Sequence, residues 1–72
     1  MELKEKLNLL EDMLEVELNS LKLEDKLEDI DEYDSMSKLS LIVLMDDEFN
    51  KKLEGETILG FKTVGDIINF ME

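Results

Sequence analysis

Few side chains in this sequence could carry chemistry, and the most suggestive set is Asp34-Ser35-Met36, with Lys38 three residues beyond the serine. A serine hydroxyl becomes a nucleophile when a neighbouring base takes its proton, a role that falls most often to histidine. The chain has neither histidine nor cysteine. Lys38 could substitute as the base, but it is expected on an exposed helix face. Carboxylate pairs are plentiful, yet 20 acids in 72 residues produce such pairs by chance. Hydrolysis by paired acids also needs a cleft that so short a chain cannot shape. Catalysis is not expected.

Metal chemistry fares no better. Without cysteine or histidine the usual zinc spacings cannot be built. Asp29, Asp31 and Asp34 cluster as the first ligands of an EF-hand loop would. That loop needs a glycine where Asp34 stands and a glutamate where Ser40 stands, and both fail. The cluster reads as a solvated acidic loop, and no metal ligand is assigned.

Ser35 itself has two readings. One is a plain helix-start serine behind Asp34 as N-cap. The other is a serine modified by a separate enzyme, which would supply the base that this chain lacks. A phosphoryl group on the first residue of a helix meets unpaired backbone N–H groups and the positive end of the helix dipole. Spacing alone leaves both open.

The elements that must position Ser35 follow from apolar periodicity. Leu3, Leu7, Leu10 and Leu14 fall on one helical face, widened by Met13 and Val16, which predicts a helix over 2–16. From Glu17 to Tyr33 the leucines are spaced irregularly among acids, and a long ordered loop is expected, pinned to the core by Leu18, Leu21, Leu23, Leu27 and Ile30. A second helix starts at Asp34 or Ser35. Met36, Leu39, Val43 and Leu53 mark one stripe of it and Ile42, Met45 and Phe49 a neighbouring one, so burial on most of its circumference is expected. A buried strand over Leu41–Met45 has no flanking turn and no partner strand. Gly55 and Gly60 bracket one short helical turn. Thr63, with Asp66 three residues on, opens a last helix whose face is Val64, Ile67, Ile68 and Met71. The expected fold is all-α: a small four-helix bundle of three longer helices and one short one, forming a single domain over 1–72.

Composition narrows the partners. Twenty acids against eight lysines give a net charge of −12, which repels nucleic acid and anionic membranes and favours proteins with basic patches. A hydrophobic content of 43% with clear periodicity argues against disorder. Leu41–Met45 is the longest apolar run and is too short to cross a bilayer. The first turns, "MELKEKLNLL", lack the basic start and apolar core of a signal peptide. A cytoplasmic monomer is expected.

The traced residues resemble an acyl carrier protein. The family's Asp-Ser-Leu signature at the start of its second helix appears here as Asp34-Ser35-Met36. "LSLIVLMDDEFN" is similar to the family's apolar helix closing in an acidic triplet and Phe, and "FKTVGDIINFM" to its final Thr-Val-x-Asp helix. The resemblance covers nearly the whole chain. It implies that Ser35 carries a 4′-phosphopantetheine arm, attached from coenzyme A by a magnesium-dependent phosphopantetheinyl transferase. The arm's thiol would hold acyl groups as thioesters for synthases, ligases or acyl-transfer enzymes. It further implies an acyl-chain pocket among Val43, Phe49, Leu53, Ile58, Phe61, Val64 and Ile68. Docking to basic patches would use Asp34, Met36, Lys38 and Leu39 beside the serine and Asp46, Asp47 and Glu48 beyond it.

Three departures from the family pattern bear on which enzymes dock. Glu32 and Tyr33 stand where a small pair such as Gly-Ala is usual. Ile30 replaces the anchoring loop leucine, one position further from Ser35. Ser37 and Ser40, with Lys38 between them, replace the acids common after the serine. Such a helix start looks more like carriers serving a dedicated pathway than the general fatty-acid carrier. The rival reading is an acidic helical adaptor that binds a basic protein without modification.

Overall fold

The computed structural model describes residues 2–71. Five elements follow in order: α1 (Leu3–Leu14), a 3₁₀ turn (Leu27–Asp29), α2 (Ser35–Phe49), α3 (Gly55–Gly60) and α4 (Val64–Phe70). The radius of gyration is 10.9 Å, with extents of 26 × 25 × 18 Å. Among the described residues no strand forms, and one isolated antiparallel bridge joins Lys26 to Thr63. The all-helical expectation holds.

Local chemistry sets most helix boundaries. At the start of α1 the Glu2 N–H donates to the Glu5 carboxyl at 3.3 Å. The helix ends at Leu14, two residues short of the predicted Val16, because Glu15 turns left-handed at φ 59°. α2 ends where Asn50 adopts φ 53°, a conformation asparagine tolerates better than most residues. Leu53 therefore lies beyond α2 and packs from the following connection, outside the helical stripe predicted for it. The short α3 takes in both flanking glycines. α4 starts as predicted: the Thr63 hydroxyl accepts from the Asp66 N–H at 3.3 Å, and the Asp66 carboxyl accepts in return from the N–H of Thr63 at 3.2 Å.

The core draws on every segment: Leu10 and Leu14 of α1, Leu41 and Met45 of α2, Ile58 of α3, and Val64, Ile67 and Ile68 of α4. Leu21, Leu27, Leu53 and Met71 fill the space between helices. The long loop is pinned by only part of the set predicted. Leu21 and Leu27 are buried and Ile30 half-buried, while Leu18 and Leu23 face solvent.

What orders this loop is mainly backbone. The N–H of Leu27 donates to the carbonyl of Lys62, that of Val64 to Asp25 and that of Gly65 to Leu23, each at 2.9 Å. The last bond brings two backbones close together, and a Cβ on Gly65 would stand 3.1 Å from the Leu23 oxygen. The three bonds sew the loop to the start of α4.

α2 buries less of itself than its composition suggests. Leu41 and Met45 are fully buried, one turn apart, but Met36 is 74% exposed, Leu39 62% and Val43 57%. At about 100° per residue, Val43 lies roughly 200° around the helix from Leu41. Met36 and Leu39 share its side. The predicted stripe of Met36, Leu39 and Val43 is thus the outer face, and the Ile42/Met45/Phe49 stripe is the inner one.

Candidate functional site

The segment before α2 is fixed by its own polar groups. Asp34 is extended at φ −113° and ψ −168°, and its carboxyl accepts from the Ser37 N–H at 2.9 Å. Its carbonyl accepts from the Lys38 N–H at 3.0 Å. The Ser37 hydroxyl donates to the carbonyl of Glu32. The Ser37 N–H holds the Asp34 carboxyl below the usual carboxylate range. A carboxyl held ionised in this way is a weak base. Asp34 therefore caps the helix and does not activate Ser35.

Ser35 is the first residue of α2 and is exposed. The other serines are placed differently. The hydroxyls of Ser20 and Ser37 are bonded to the carbonyls of Glu17 and Glu32, and Ser40 lies inside α2. No hydrogen bond engages the Ser35 hydroxyl among the described residues. It is an open hydroxyl on a firmly capped helix start.

Beside it stands Tyr33, half-buried, with its hydroxyl enclosed and without a hydrogen-bond partner among the described residues. Burial pushes the phenol above its ordinary value. The Lys38 ammonium sits 5.6 Å from the ring centroid, within cation–π range. Lys38 is half-buried, not on the exposed face expected for it, because Tyr33 gives its stem a surface to cover.

The predicted docking residues divide by location. Met36 and Leu39 rise from the same helix as Ser35 and face solvent. Asp46, Asp47 and Glu48 are exposed together on the last turns of α2. Of the predicted acyl-pocket residues, Leu53, Ile58, Val64 and Ile68 are buried, and Phe49 and Phe61 pack half-buried against the same core. Phe61 meets Phe70 edge-on, with centroids 5.9 Å apart. Val43 departs from that set: it joins Met36 and Leu39 on the outer face. Sequence reasoning missed the buried Glu11 and the Tyr33–Lys38 contact. Neither has a local signature, since one is an acid among many acids and the other a pair five residues apart.

The family pattern for phosphopantetheine attachment sites matches residues 7–71. The chain belongs to that family. No curated protein and no solved structure matches it significantly.

As a phosphopantetheine carrier domain the chain is non-catalytic, and its working group is 4′-phosphopantetheine. Carriers of this kind work with a phosphopantetheinyl transferase and with acyl-processing enzymes. The residues present fit such a group. An exposed, unengaged hydroxyl can be esterified without breaking any contact, and the first turn of a long helix favours a phosphate beside it. When bound, the group supplies a thiol to a chain without cysteine. No helix among the described residues is long and apolar enough to cross a membrane.

Proposed function

We propose that Ser35 bears the phosphopantetheine arm and that the chain is a monomeric cytoplasmic carrier for a dedicated acyl pathway rather than for general fatty-acid synthesis. One observation carries the assignment to Ser35: it is the exposed serine that opens a capped helix, with no bond on its hydroxyl among the described residues. The chain contributes the hydroxyl, and Asp34 and Ser37 hold the helix start rigid around it. Proton removal falls to the transferase.

Docking to basic partners is supported by two features that cost stability. Met36, Leu39 and Val43 expose an apolar stripe that begins next to Ser35. Asp46, Asp47 and Glu48 sit near the C-terminal end of α2, where the helix dipole disfavours negative charge. Local rules broken along one helix suggest a binding role. The acyl chain would lodge among Phe49, Leu53, Ile58, Phe61, Val64 and Ile68, whose aliphatic majority can yield to it. The dedicated role rests on the Tyr33–Lys38 contact and on Ser37 and Ser40, which remove negative charge from the approach to Ser35.

Intact mass tests the attachment after incubation with coenzyme A, magnesium and a permissive transferase. One added arm on the native chain and none on Ser35→Ala is expected. No gain with several transferases on the folded protein would return the case to the unmodified adaptor. Exchanging Tyr33, Ser37, Lys38 and Ser40 for the small and acidic residues usual in the family tests the dedicated role. Turnover by fatty-acid elongation enzymes should then improve, and an unchanged turnover would count against specialisation.

A further inference from the structure

In a chain with 20 acids and eight lysines, one groove is lined by more lysines than acids. It encloses about 460 Å³ between the 3₁₀ turn and the end of α3, among Lys26, Glu28, Leu59, Phe61, Lys62 and Thr63. The backbone seam builds it. The bonds from Leu27 to Lys62 and from Val64 to Asp25 flank the Lys26–Thr63 bridge, and the side chains of such a pair stand close together. Lys62 comes next to Thr63 in the chain.

Both lysines of the groove are exposed. Lys38 covers Tyr33 and Lys51 reaches the Phe70 carbonyl, whereas the ammonium groups of Lys26 and Lys62 have no such partner among the described residues. Asp66 lies near Lys62, but its carboxyl already accepts the N–H groups of Lys62 and Thr63. Glu28 is the one acid in the lining, and its exposed side chain can turn to solvent. Two apolar groups stand beside the lysines. Leu59 is 78% exposed, and Phe61 is half-buried against the core. Cations beside an apolar wall suit an anion on an apolar stem.

Ser35 is within reach of this groove. The Ile30 N–H donates to the Leu27 carbonyl and the Tyr33 N–H to that of Ile30, both at 3.1 Å. Two such turns and two further residues keep the Cα atoms of Leu27 and Ser35 within about 21 Å. A phosphopantetheine arm, about as long as five extended residues, covers roughly 17 Å before its acyl group begins. On the reading that Ser35 bears the arm, we propose that the cargo is an acyl group ending in a carboxylate, a dicarboxylic acid held through one end, whose free carboxylate docks between Lys26 and Lys62. Phe61 also belongs to the proposed acyl pocket, so a chain leaving that pocket meets the groove. A carboxylate is costly to bury in the core, and the groove offers it cations in contact with solvent. An acidic protein partner would be repelled by the rest of the chain, whereas the tether presents one carboxylate at high local concentration.

Loading the native chain from amide-linked adipoyl and hexanoyl analogues of coenzyme A with a permissive transferase tests this, with intact mass reporting the load. The two groups match in carbon count and differ in one carboxylate. Adipoyl should shift the side-chain NMR signals of Lys26, Lys62 and Leu59, and hexanoyl those of Ile58 and Ile68 instead. The adipoyl carboxyl, isotope-labelled, should bind its proton about threefold to tenfold less tightly on the native chain than on Lys26→Gln/Lys62→Gln. Lys4→Gln/Lys52→Gln, equal in charge and outside the groove, should leave it close to the native value. The same signals moved by both groups, or equal effects of the two double variants, would overturn the groove while the added mass upheld the carrier. No added mass, from these analogues or from coenzyme A itself, would overturn the carrier reading and the cargo with it.

Discussion

The carboxyl of Asp34 accepts the Ser37 N–H at 2.9 Å and leaves the hydroxyl of Ser35, between them in sequence, without a hydrogen bond among the described residues. The residue beside the proposed attachment point is thus committed to the helix and not to the serine. Its carboxyl lies below the ordinary range because of that bond, as does that of Asp66 at the start of α4, held by the N–H groups of Lys62 and Thr63. A carboxyl depressed on folding stabilises above its unfolded value, about 3.9. That contribution is lost as pH falls through the lower folded value. Melting temperature should therefore fall on acidification below about pH 4. In Asp34→Asn, which can still cap the helix, the fall should be shallower. Identical acid profiles would show that Asp34 does not contribute.

Tyr33 gives an optical handle, because it is the one tyrosine and the chain has no tryptophan. Burial raises its phenol above the ordinary value. The neutral form is favoured in the folded state, so this contribution is complete below about pH 10 and lost as pH rises through the folded value. Absorbance of the phenolate should titrate later in the native chain than in urea. Tyr33→Phe should melt within about 0.5 kcal/mol of the native chain, since the hydroxyl it removes has no partner. A clear loss of stability would mean that the hydroxyl is bonded in solution.

The two faces of α2 should respond oppositely to truncation. Leu41→Ala removes a fully buried side chain and should cost about 2–5 kcal/mol, enough to leave so small a domain largely unfolded. Leu39→Ala removes one that is 62% exposed and should stay within about 0.5 kcal/mol. Chemical denaturation distinguishes the two. If the Leu39 variant proved the weaker, the orientation of the helix would be wrong.

Replacing Asp46, Asp47 and Glu48 by Asn, Asn and Gln should raise the melting temperature slightly, by easing repulsion and the conflict with the helix dipole. The same variant should accept the arm more slowly from a transferase with a basic docking face, and the difference should shrink as salt rises. Equal rates at low salt would remove the triplet from the docking surface.

How much of this was legible in the sequence depended on the range of each interaction. The Asp34 cap and the Thr63–Asp66 box are bonds across three residues, and side-chain type announces them. The burial of α2 was misjudged because Met36, Leu39 and Val43 are as apolar as Leu41 and Met45. A helix apolar on nearly all sides gives little sign of which side turns inward. The order of the long loop was invisible for a different reason. The bonds from Leu27, Val64 and Gly65 join backbone to backbone, and any sequence offers the same groups.

Those backbone bonds divide the molecule into a stitched half and an unstitched half. The loop and α4 share a seam that does not depend on what fills the interior, whereas no main-chain bond ties α3 to another element among the described residues. Nearby, Lys51 reaches from the connection ahead of α3 to the Phe70 carbonyl at 2.8 Å, a side-chain latch and not a stitch. The walls around α3 are held by side chains, so on the proposed reading this half, and not the seam, would be the one to yield to an acyl chain.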